Sequence, residues 1–140
     1  MILNGIKNQR VELKIIRDKS LIDTTYDDSE WLRIYIDVHS NLGNWHTVDE
    51  SLMVSEFKEL IKWFKDLSIN DKVEYPELYF TEPNLEFHLL EDENGIKKIK
   101  MIFNAESKPK SATKDDQYFV EFEFSSADLS KIADDLEKEL

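Results

Sequence analysis

Cysteine is absent from all 140 residues. That excludes disulfides and thiolate metal sites, and it fits a reducing cytoplasm. Glycine occurs only as Gly5, Gly43 and Gly95, and the last two read as turn residues. A backbone cradle for nucleotide phosphates needs glycines that this chain does not have. No Gly-x-Ser-x-Gly elbow occurs, so the inventory of nucleophiles is thin. No apolar run approaches the roughly 20 residues of a membrane helix. Met1-Ile2-Leu3-Asn4-Gly5 lacks the basic region and long apolar core of a secretory signal. Together these absences favour a cytoplasmic, non-enzymatic protein with no cofactor and no metal.

What is present is acid and aromatic side chain. The chain carries a net charge of −12, with eight Phe, five Tyr and three Trp. Such apolar content belongs to a folded protein and not to a disordered acidic tail. A chain of this length fits one domain, 1–140, and buries roughly two-thirds of its unfolded surface without a covalent staple.

The acids are unevenly placed. Between Asp115 and Leu140, nine acidic residues face only Lys131 and Lys138, leaving seven of the chain's twelve net negative charges there. Asp134, Asp135, Glu137 and Glu139 fall near the end of an expected helix, where the macrodipole favours cations. Each such charge costs roughly 0.3–1 kcal/mol before screening. Two readings stand side by side: a solubilising acidic face, or a surface for a basic partner. On the second reading the candidate partner-binding residues are Asp115, Asp116, Glu121, Glu123, Asp134, Asp135 and Glu137. Either reading argues against nucleic acid or an anionic membrane as ligand.

Periodicity supplies the elements. Val11–Ile15 alternates as a strand, and Ser20–Glu30 is a polar loop. Trp31–His39 is the clearest strand, followed by a turn at Ser40-Asn41-Leu42-Gly43 and a partner strand over Asn44–Val48. Met53, Phe57, Leu60, Ile61, Phe64 and Leu67 repeat at helical spacing, with Ser55 as N-cap. Short strands follow at Glu77–Phe80 and Leu85–Leu89. Asn94-Gly95 signals a hairpin whose return strand is Ile96–Ala105. Ser107–Lys114 reads as a mobile loop. Tyr118–Phe124 is the last strand. A second helix starts near Ser125 or Ser126, with Ser125 and Asp128 at capping-box spacing. This order predicts an α+β fold. A largely antiparallel sheet of about six or seven strands carries two helices, after residue 53 and at the C-terminus, packed on one face. No sequence repeat of fixed period appears.

Three constellations invite chemistry. His46 faces Asp37 if the turn after Val38 is long, and His39 if it is short; neither arrangement supplies a third ligand for zinc. Adjacent acids such as Asp27-Asp28 and Asp49-Glu50 suit a solvated surface better than a catalytic cleft. Trp31, Arg33 and Tyr35 share one strand face, which is either an interface or a core face covered by another element.

The stretch Trp31-Leu32-Arg33-Ile34-Tyr35-Ile36-Asp37-Val38, then Gly43-Asn44-Trp45, Asp49-Glu50-Ser51-Leu52 and Glu56–Trp63, resembles the WapI-type immunity proteins. Pro83-Asn84-Leu85-Glu86-Phe87 is similar to that family's following strand. The segments cover roughly the middle half of the chain and are structural in type, so no binding residue is carried across. The resemblance implies an inhibitor that binds the toxic C-terminal domain of a contact-dependent polymorphic toxin. Many such toxins are nucleases with a basic groove, which an acidic protein can occupy after charge-steered association. The other reading of the chain is a small-ligand-binding or regulatory α+β domain. Toxin identity and oligomeric state stay open at this stage.

Overall fold

The computed structural model describes residues 1–17, 27–113 and 115–140. The loop expected over Ser20–Glu30 lies outside the described residues up to residue 26, as does Lys114. Eight strands and two helices run in the order β1 (Ile2–Asn4), β2 (Arg10–Ile16), β3 (Trp31–Ser40), β4 (Gly43–Met53), α1 (Val54–Ser68), β5 (Glu77–Leu78), β6 (Leu85–Glu93), β7 (Ile96–Phe103), β8 (Tyr118–Ser125) and α2 (Ser126–Glu139). The fold is α+β and fully antiparallel among these strands, with the two expected helices. The strands divide into two sheets, β1-β2-β3-β4 and β5-β6-β7-β8. Each is a four-strand meander running into a helix, so one topology occurs twice without any sequence periodicity.

The halves are braced across one another. After the first sheet, α1 packs Trp63 and Phe64 against Phe87 of β6 in the second, with ring centroids 6.3 and 5.8 Å apart. After the second sheet, α2 ends against the first: the Glu139 carboxylate accepts the Ile15 N–H at 3.1 Å. The helices also pack on each other. Inner faces of both sheets and both helices share a single core that includes Leu13, Ile34, Phe57, Phe64, Phe87, Phe122 and Leu136. Each fully buried side chain of this size contributes roughly 1.5–3 kcal/mol of transfer free energy.

Polar contacts lock the seam between the sheets. Trp45 of β4 donates its indole N–H to the Ser107 carbonyl at 2.8 Å and meets Phe103 and Tyr118 edge-on. Asn84, fully buried, donates through Nδ2 to Asp49 (2.7 Å) and Ser51 (3.1 Å). Ser107 is likewise buried, so the segment expected to be a mobile loop is anchored at its start by a 3-10 turn, Ala105–Ser107. At the other seam, Gly5 lies against β8. A Cβ there would sit 2.9 Å from Val120 Cγ1 and 3.0 Å from the Glu121 carbonyl oxygen, so only glycine fits.

Local signals set the element ends. Ser125 and Asp128 form a reciprocal capping box, 3.2 and 2.9 Å. Asn94 (φ 54°) and Gly95 (φ 75°) take the positive-φ turn expected of that pair. Helix α1 starts two residues earlier than Ser55 would cap it. Met53 occupies the cap, its N–H accepted by the Glu56 carboxylate at 3.0 Å. The Val54 and Ser55 N–H groups go to the carbonyls of Glu30 and Asp28, so no hydroxyl cap is needed.

Candidate partner-binding surfaces

Six of the seven acidic candidates fall in four places, and the seventh, Asp134, is exposed on α2. Asp115 and Asp116 lie in the segment before β8. Asp115 is exposed, while Asp116 accepts the Thr113 N–H at 2.8 Å, a bond that holds its carboxyl below the usual range. Glu123, Asp135 and Asp128 line a groove between β1 and α2, together with Ile2, Asn4 and Lys131. Glu121 points from the outer face of β8 and pairs with Lys98 at 3.5 Å. Glu137 faces the other helix and pairs with Lys65 of α1. The structure therefore brings Glu123 and Asp135 together and keeps Asp115–Asp116 and Glu137 apart from them.

The acids at the end of α2 are better compensated than the sequence implied. Asp135 accepts from Lys131 at 2.9 Å, which lowers its pKa. Glu137 has Lys65. Glu139 takes the Ile15 N–H where β1 runs out as a partner for β2, and it lies 3.4 Å from the Met1 ammonium. These contacts offset the unfavourable dipole position of Asp135, Glu137 and Glu139. Of the nine acids, Asp115, Glu123 and Asp134 have no ion-pair or hydrogen-bond partner among the described residues.

The histidine question is settled by register. The turn is Ser40-Asn41-Leu42-Gly43, the longer of the two alternatives, closed by the Ser40–Gly43 pair, which places Asp37 opposite His46 and His39 opposite Asn44. Asp37 Oδ2 is 3.1 Å from His39 Nε2 and 3.9 Å from Arg10 Nη2. This is a charged sheet surface, and among the described residues no three His, Asp or Glu converge to hold a metal ion. The face carrying Trp31, Arg33 and Tyr35 points outward. Trp31 is 36% exposed and Arg33 is exposed, so this face is surface and not core.

A second surface was not foreseen. Between α1 and the segment 73–78 lies an open cleft of about 140 Å³, lined by Glu59, Lys62, Trp63, Asp66, Glu74 and Tyr75, with Val73 and Leu78 beneath. Lys62 bonds Asp66 at 2.5 Å. Glu59 and Glu74 have no cation within ion-pair distance among the described residues. The Tyr75 hydroxyl bonds Glu74 and that of Tyr79 bonds Glu77, and each bond raises the phenol's pKa. The signal was present in Glu74-Tyr75-Pro76-Glu77-Leu78-Tyr79, where acid and tyrosine alternate beside a proline. A two-residue strand, β5, leaves most of that segment's side chains outside.

The whole chain, residues 1–140, matches the model of the immunity protein WapI-like family. The chain belongs to the WapI-like immunity protein family. No curated protein and no solved structure matches it. The segments whose resemblance pointed to this family meet in the fold. Trp45, Asp49 and Ser51 of β4 contribute to the polar seam with Asn84. In this WapI-like chain they serve the architecture. Among the described residues no helix is long and apolar enough to cross a membrane.

Proposed function

We propose that this protein is a cytoplasmic, non-enzymatic immunity protein. It binds stoichiometrically to the toxic domain of a contact-dependent toxin and covers a basic, nuclease-like site with an acidic surface. Family membership along the entire chain is the observation that carries this reading. The net charge of −12 supports the electrostatic part, as do the carboxylates of Asp115, Glu123 and Asp134, which have no ion-pair partner among the described residues. A basic groove attracts such a surface at long range, and the steering shows in the association rate.

The test is co-expression with the C-terminal domain of the polymorphic toxin encoded next to this chain. Growth should be restored by this protein, and the two chains should elute as a complex. The association rate should fall roughly tenfold or more from low to high salt, as the screening length shrinks to a few Å. Failure to restore growth sinks the immunity reading. A salt-independent rate with growth restored sinks only the steering.

A further inference from the structure

We infer that the cleft beside α1 receives a guanidinium side chain from a basic protein partner. The partner's identity as the toxin rests on the immunity reading above.

Three observations converge on the cleft. Its wall is aromatic: Tyr75, 58% exposed, offers a ring on which an arginine fork stacks, and the buried Trp63 backs it. Its rim is anionic: three carboxylates, Glu59, Asp66 and Glu74, face a single ammonium, Lys62, which is already engaged with Asp66. A cation entering here therefore meets three carboxylates balanced by one ammonium among the described residues. Planar, two-pronged donors suit carboxylates beside a ring better than a compact ammonium does. The like charge repels a phosphate or an anionic lipid headgroup.

The surroundings have the make-up of a contact surface. Ile69 is 71% exposed, Tyr75 58% and Tyr79 57%, the highest values among the large apolar side chains of the described residues. Ile69 and Tyr75 lie in the connection between α1 and β5, and Tyr79 directly follows β5. Aromatic side chains around a charged anchor exclude water from it and strengthen the contact. The backbone that carries them is pinned. The Trp63 indole donates to the Tyr75 carbonyl at 2.8 Å, and the Pro76 carbonyl accepts the Leu89 N–H at 2.8 Å. Val73 and Leu78 are buried below. A surface ordered before binding loses less conformational entropy when the partner arrives.

The indole N–H of Trp63 is a built-in reporter, assigned in two-dimensional ¹H–¹⁵N spectra by comparison with Trp63→Phe. Titration with arginine amide should shift this signal saturably, and titration with the uncharged norleucine amide should not. The doubly reversed variant Glu59→Lys/Glu74→Lys changes two exposed side chains, and in it the arginine response should vanish. No saturable shift in the wild-type protein overturns the cleft as a guanidinium site. The second readout is affinity for the neighbouring toxin domain, which the double variant should weaken tenfold or more. A smaller loss, with wild-type binding intact, overturns the assignment of this cleft to the toxin. Absence of any wild-type complex alongside a clear arginine response would instead overturn the immunity reading and leave the cleft standing.

Discussion

The C-terminal acidic stretch and the cleft beside α1 are both rich in carboxylates, and they differ in what faces those carboxylates. Along α2, Asp135 has Lys131, Glu137 has Lys65, and Glu139 has a backbone N–H and the N-terminal ammonium. Beside α1, Glu59, Asp66 and Glu74 share one ammonium, Lys62, which bonds Asp66, and neither Glu59 nor Glu74 has a cation within ion-pair distance among the described residues. The denser charge run is therefore the more neutralised one. A partner meets the carboxylates that the fold has left over, and a count along the sequence does not find them.

The largest effect expected from this contrast is on stability. Glu139→Leu removes the acceptor of the Ile15 N–H, on a residue that is itself buried. A charged acceptor lost from a shielded donor costs about 1–3 kcal/mol. Glu59→Leu removes a carboxylate with no partner and should stay within about 0.5 kcal/mol of the parent. Urea denaturation of the two variants measures both. Equal midpoints would erase the distinction between acids that hold the fold and acids that do not.

A smaller effect separates neighbours within α2. Asp134 has no partner among the described residues, whereas Asp135 forms an i,i+4 pair with Lys131 and lies close to the end of the helix. Asp134→Lys should leave the melting temperature unchanged or slightly raised, because a cation suits the C-terminal dipole. Asp135→Lys puts two lysines at pairing distance and should lower it, by roughly 0.3–0.5 kcal/mol. Identical shifts in thermal scans of the two single variants would show that the ion pair contributes nothing beyond the dipole.

Local signals were legible in the sequence, and long-range pairings were not. The Ser125/Asp128 box, the Asn94-Gly95 turn and the β3 alternation each depend on residues a few positions apart, so the chain states them directly. The class, α+β and antiparallel with two helices, followed from those elements. The division into two sheets did not, because each strand reads the same whichever neighbour it finds. Strand β1 is three residues long, too short for alternation to register. Lys97 looks like surface by type. It occupies an inward position of β7, where Asp92 (3.0 Å) and Asn70 (2.7 Å) satisfy its ammonium. Glu56 and Glu59 make the point for the acids. They sit one turn apart on α1, yet Glu56 is buried and accepts the N–H groups of Met53 and Thr81, while Glu59 is exposed. Thr81 is 25 positions away from Glu56, and nothing in the sequence announces that contact. The carboxylates open to a partner could be found only after such distant pairings were known.

The smallest effects come from pH, and they should appear at opposite ends of the scale for the two regions. In the C-terminal stretch, the Thr113 N–H lowers the pKa of Asp116. A carboxyl depressed in the folded state stabilises fully above its unfolded value, and that contribution disappears as pH falls through the folded one. Asp116→Asn should therefore melt below the parent at neutral pH, with the gap closing as pH drops beneath about 4. At the cleft, the bond to Glu74 raises the pKa of Tyr75. A phenol raised in the folded state stabilises fully below its unfolded value, near 10, and loses that contribution as pH rises through the folded one. Tyr75→Phe should melt slightly below the parent at neutral pH, and its gap should close as pH rises into strong alkali. Both groups are exposed, so each gap should be small, and the informative quantity is the pH at which it closes. Melting temperatures of the two variants and the parent, taken across the pH range, read this directly. If the Tyr75→Phe gap stayed open in strong alkali, the Tyr75–Glu74 bond would not form in solution, and the cleft would lose one of the contacts that order its rim.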